Sequence, residues 1–155
     1  MGDGNAPFVP LGTNESFAIG IPGNTNGAPD LTLDFRPDGA LVVQSREAAG
    51  QLVKTENLQL SSNRTKALRA RIAAFRPPPH SEEFLPRGCG YVYDMSDKVT
   101  LSFSNVANDL KNADQIKFVH FQETCRSRWA ELGLTEIRAI IASLPQTALI
   151  RSRSL

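Results

Sequence analysis

Two histidines and two cysteines are the residues of this chain whose types could do chemistry: His80, Cys89, His120 and Cys125. A thiolate beside an imidazole is a nucleophile, and the same four side chains are the ligand types of a tetrahedral zinc site. Their spacing argues against both uses. Zinc modules bring ligands in close pairs such as Cys-x-x-Cys, so that one turn sets half of the geometry before the metal arrives, and no such pair exists here. Neither cysteine carries the local signature of a nucleophile. No metal and no cofactor is therefore expected.

A disulfide between Cys89 and Cys125 is the functional reading that remains for the thiols. It would close a long loop and contribute ~2 to 4 kcal/mol in an oxidising compartment. Two unpaired, buried thiols acting as small hydrophobes are the equal alternative. Cys89 lies in Gly88-Cys89-Gly90 at the entrance to a strand, and Cys125 sits one turn before Trp129 on the apolar side of a helix, so both can point inward.

Charge offers a second kind of chemistry. Arg64, Lys66, Arg69 and Arg71 crowd one helical segment, with Arg76 after it. At ~100° per residue Lys66 and Arg69 face away from the apolar stripe of Leu68, Ile72 and Phe75, whereas Arg64 and Arg71 project close to it. The cations do not form one stripe, so a solvated helix is expected rather than a nucleic-acid surface. Arg71 stands apart, because it falls between Ala67 and Phe75 on the inward side. Its stem can lie over a sheet edge, or its guanidinium can meet a carboxylate such as Asp94. Arg71, Asp94 and the loop residue His80 are the binding candidates.

Other signatures are absent. Neither phosphate-binding glycine loop occurs, nor Gly-x-Ser-x-Gly, nor His-Glu-x-x-His. Glu82-Glu83 and the Asp94, Asp97 pair are carboxylates of the sort that surfaces carry. The aromatics Tyr91, Tyr93, Phe118 and Phe121 lack the flanking residues of RNA-binding sheets and read as core. Asn14-Glu15-Ser16 and Asn63-Arg64-Thr65 match the glycosylation triplet, which matters only in a eukaryotic secretory pathway.

These residues must be held by a fold, and 155 residues suffice for one domain with its own core. Hydrophobic residues at 41% and charged ones at 21% place the chain among folded proteins, and 17 basic against 16 acidic residues leave a net charge of +1 with no global field. No stretch reaches the ~18 apolar residues of a membrane span. Met1 to Pro10 lacks the basic and apolar regions of a signal peptide, which leaves the cytoplasm as the alternative to the periplasmic or secreted location that paired cysteines imply.

Alternation predicts strands at Ser16 to Ile21, Leu31 to Phe35, Leu41 to Ser45 and Gln51 to Leu60, with Asp38-Gly39 making a tight hairpin. Ser61 and Ser62 cap a helix running to about Phe75, stopped by Pro77-Pro78-Pro79. His80 to Gly90 reads as loop. A second hairpin pairs Tyr91 to Met95 with Val99 to Ser104 around Ser96-Asp97, and Gln115 to Phe121 is a further strand. A helix from about Glu123 to Leu132 breaks near Gly133 and restarts with Thr135 as N-cap. Ile137, Ile140, Ile141 and Leu144 form its buried face, and Pro145 stops it. The tail through Ala148 to Ile150 is a final strand or a frayed end.

The expected fold is α+β: an antiparallel sheet of about five to seven strands with two main helical regions packed on one face. Residues 1–14 are expected as a flexible segment, 15–150 as one domain and 151–155 as a tail. The function expected is that of a non-enzymatic binding domain, from the bacterial envelope or secreted, contacting a protein or small ligand. Its loops, the Gly/Asn/Pro-rich N-terminal segment and Pro77 to Arg87, are the expected contact surfaces. One alternative is a small enzyme using Cys89 or Cys125 with His80 or His120. A second is a nucleic-acid binder using Arg64, Lys66, Arg69, Arg151 and Arg153.

Overall fold

The computed structural model describes residues 11–23, 30–47, 51–75, 83–84, 99–104, 116–121 and 128–151. Strands β1 (Ser16–Ile21), β2 (Asp30–Phe35), β3 (Ala40–Arg46) and β4 (Leu52–Gln59) precede helix α1 (Ser62–Ile72), which a 3-10 turn extends through Ala73–Phe75. Then come β5 (Glu83–Phe84), β6 (Val99–Ser104), β7 (Ile116–Phe121), α2 (Arg128–Ser143) and α3 (Ala148–Arg151). The strands form one seven-stranded sheet in the order β4-β3-β2-β1-β6-β7-β5. All pairs are antiparallel except β5 with β7, which is parallel. The class is α+β, with an antiparallel sheet and helices on one face, in a single small domain.

The period-two pattern explains why the helices take one face. Phe17, Ile19 and Ile21 of β1 lie opposite Phe35, Leu33 and Leu31 of β2, and Phe103 and Leu101 of β6 lie opposite Phe17 and Ile19. All eight are buried, and with Leu41 and Val43 of β3 they make a continuous apolar sheet surface. Leu68, Ile72 and Phe75 from the first helical region cover it together with Leu134, Ile137, Ile140, Ile141 and Leu144 from α2 and Ile150 from α3, in one core cluster. The rings of Phe17 and Phe35 stack at 4.5 Å between centroids, 7° from parallel. Pairing of β1 with β6 joins the early strands to the late ones through this core.

Local signals account for the boundaries. Asp38-Gly39 turns β2 into β3, with Gly39 at φ +91°. Ser61 caps α1 by accepting the Arg64 N–H at 3.2 Å. Gln146 Nε2 donates to the Leu144 carbonyl at 2.8 Å and to that of Ile141 at 3.3 Å, closing α2 where Pro145 ends it.

Several expectations need correction. No break occurs at Gly133: α2 runs unbroken from Arg128 to Ser143, and Thr135 is an exposed mid-helix residue rather than a cap. A glycine costs a helix interior only about 1 kcal/mol, and burying Leu134, Ile137 and Ile140 outweighs that. Ala148–Arg151 is a helical turn instead of a strand or frayed end, because Thr147 Oγ1 accepts the Ile150 N–H at 3.4 Å as an N-cap would. Inside the expected loop His80 to Gly90, Glu83–Phe84 forms the short parallel strand β5. Tyr91 to Met95, the expected hairpin partner of β6, lies outside the described residues. Both edges of β6 are occupied by β1 and β7.

Candidate functional site

Ser61, Thr65 and Arg69 recur every fourth residue, so α1 carries them along one flank. Thr65 Oγ1 donates to the Ser61 carbonyl at 2.8 Å, which ties the side chain into the first turn. One turn on, Arg69 reaches across to the segment before β1. Its Nη1 donates to the Glu15 carbonyl at 2.5 Å and its Nη2 to the Gly12 carbonyl at 2.6 Å. The turn it grips is closed on itself, because Glu15 N–H donates to the Gly12 carbonyl and Gly12 N–H donates to Glu15 Oε1, both at 3.0 Å. Glu15 is buried, and Leu11 packs on the core behind it.

Burial holds the Arg69 guanidinium below the usual arginine value, while the nearby Glu15 carboxylate acts in the opposite direction. Arginine stays charged throughout the physiological range even so. Beside this clasp is a hollow lined by Phe17, Phe35, Arg36, Gly39, Leu60, Thr65, Leu68 and Arg69. Its cavity volume is only about 10 Å³, room for little more than one water. Ligand pockets run roughly 300 to 1,000 Å³. With the Thr65 hydroxyl and both Arg69 Nη atoms bound to backbone carbonyls, the chemistry of this corner is fastening: it fixes the entry of the chain into β1 onto α1.

Arg69, expected to face away from the core, instead reaches back to the segment before β1. Thr65 is buried beside Leu68 and Ile72, and this widens the inward stripe toward Arg69. Arg71 flanks the stripe on its other side, exposed rather than inward, and its Nε donates to Glu136 Oε1 of α2. The carboxylate it meets among the described residues is therefore Glu136. Removing Arg69 as Arg69→Ala is expected to cost about 2 kcal/mol, because two charge-assisted bonds to carbonyls are lost beside a buried carboxylate. For a chain of this length that lowers Tm by about 6 °C, and calorimetry checks it. Arg71→Ala removes a solvent-screened pair and should change stability by no more than about 0.5 kcal/mol.

His80, Cys89, Asp94 and Cys125 lie outside the described residues. His120 pairs in register with Thr100 on β6. Among the described residues, no three His, Cys, Asp or Glu side chains gather as metal ligands. No helix there is long and apolar enough to cross a membrane. Of the five cations weighed for nucleic acid, Arg69 is bound to the chain itself, and Arg153 lies outside the described residues.

The sheet has a second face, opposite the helices. One row across it runs Thr100, Gly20, Thr32, Gln44, and the next runs Ser102, Ala18, Asp34, Val42. All are half-buried, and all belong to the strand positions that alternate with the core residues. No described element lies over them. No family model matches the chain, and no curated protein is similar to it, so the reading of function rests on these residues alone.

Proposed function

We propose that this chain is a non-enzymatic binding domain, acting in the bacterial envelope or outside the cell, which holds a protein or small ligand on a rigid sheet. The observation that supports this reading is the wide, mostly polar face of Thr32, Asp34, Gln44, Thr100 and Ser102, with its side chains held in register and no described element over it. A non-obligate interface is about as apolar as any other surface, and what it needs is area and fixed geometry. A sheet anchored on its other face by the whole core supplies both. The N-terminal segment and the segment Pro77 to Arg87 are the further contact regions of this reading. The compartment is inferred from Cys89 and Cys125 as a disulfide pair.

Thiol titration of the native protein tests the reading against its rival, an enzyme that uses Cys89 or Cys125 with His80 or His120. The expected result is no reactive thiol before reduction and two after reduction and unfolding. One fast-reacting thiol that titrates below the ordinary cysteine value of ~8.5 would overturn the binding reading in favour of a nucleophile.

A further inference from the structure

Among the described residues, no strand lies beyond β4 at its edge of the sheet. Arg36 N–H donates to the Ala40 carbonyl at 2.9 Å, which sets the alternation along β3. The backbone groups of Ala40, Val42 and Gln44 turn toward β2, and those of Leu41, Val43 and Ser45 turn toward β4. Their partners Leu58, Glu56 and Lys54 are thereby used within the sheet. The N–H and C=O groups of Thr55 and Asn57 point outward, along an edge that has no neighbour among the described residues. Thr55 and Asn57 are exposed, and Val53 is 53% exposed. An open edge is a template for another strand, and lysines and bulges are the usual protection. β4 has one lysine, Lys54, and one register irregularity, opposite Ser45/Arg46.

The residues around Thr55 are complementary to themselves. When a second β4 runs antiparallel with Thr55 opposite Thr55, Lys54 of each copy faces Glu56 of the other. Outward-pointing Thr55 makes the hydrogen-bonded pair at the centre. Lys54 and Glu56 then fall at non-hydrogen-bonded positions, where Cα atoms approach to about 4.5 Å and side chains interact most closely. Lys54 makes no ion pair among the described residues. Among the described residues Glu56 accepts a hydrogen bond from Thr147 Oγ1 at 2.5 Å through Oε1, and a carboxylate can accept more than one. A lysine that deters an unrelated strand is thus answered by the same strand of another copy.

We propose that β4 pairs with β4 of a second copy about a two-fold axis at Thr55, extending the sheet across an isologous dimer. This does not depend on what the sheet face binds. Sedimentation of the full chain over a concentration series tests it. The wild type is expected to move from monomer to dimer. Lys54→Glu sets Glu opposite Glu twice across the axis and should weaken association about tenfold, with K54E/E56K recovering it. Thr55→Pro removes the central N–H and should give a monomer with unchanged circular dichroism, because an edge strand tolerates proline where its N–H faced solvent. A wild type that stays monomeric up to its solubility limit overturns the proposal. So does a dimer that survives both Lys54→Glu and Thr55→Pro, or a double variant no better than Lys54→Glu.

Discussion

Gly39→Ala is expected to destabilise the protein by about 3 kcal/mol, a large share of the ~5 to 15 kcal/mol that holds a typical domain folded. Gly39 has φ +91°, where an L side chain is strained in any surroundings. Its surroundings also leave no room. A Cβ there would stand 2.6 Å from the Leu60 carbonyl oxygen, 2.8 Å from Gln59 Nε2 and 2.9 Å from Thr65 Oγ1. Gln59 can swing away, but the Leu60 oxygen is backbone at the corner between β4 and α1. That corner is itself bonded to the turn, since Leu60 N–H donates to the Gly39 carbonyl at 2.9 Å and Gln59 Nε2 donates to the Asp38 carbonyl at 2.9 Å. Relieving the clash therefore opens the contact between the hairpin and the start of α1. Urea denaturation should show a lower midpoint with little change in slope.

Gly39 also shows what could be read from the residues alone. An Asp-Gly between two alternating runs requires a tight turn, and a serine before an apolar stripe requires a helix start, so β2, β3 and α1 were legible from neighbours in the chain. The buried face of α2 was legible for the same reason, through Ile137, Ile140, Ile141 and Leu144. Other features depend on partners distant in sequence. Nothing local says that β1 pairs with β6, that a two-residue segment at Glu83–Phe84 joins β7, or that the core on one side of α2 keeps the helix intact through Gly133.

The candidate site was less legible than the fold. Helical angle alone sets Arg71 beside the stripe and turns Arg69 away from it, the reverse of what the structure shows. The decision belongs to Gly12 and Glu15, more than 50 residues away, which offer carbonyls to one and not the other. A buried Thr65 was the signal available, since a polar residue in the stripe marks the side on which other polar groups meet. The sheet face away from the helices was implied by the same alternation that identified the core, but a face becomes a surface only when the strand order is known.

Pairing of β1 with β6 fuses the early and late strands into a single core, which gives the sheet face its rigidity. Phe17 is at the junction: 1% exposed, stacked on Phe35 and opposite Phe103. Phe17→Ala is expected to cost about 4 kcal/mol, from lost burial, the cavity left behind and the lost ring pair. The lone tryptophan, Trp129, lies in α2 at the far end of the sequence and reports on the late half. The measurement is urea unfolding of wild type and Phe17→Ala, followed by Trp129 fluorescence and by far-ultraviolet circular dichroism on the same samples. One core predicts that both curves move together to a lower midpoint. A Trp129 curve that stays at the wild-type midpoint while the dichroism curve shifts would contradict it.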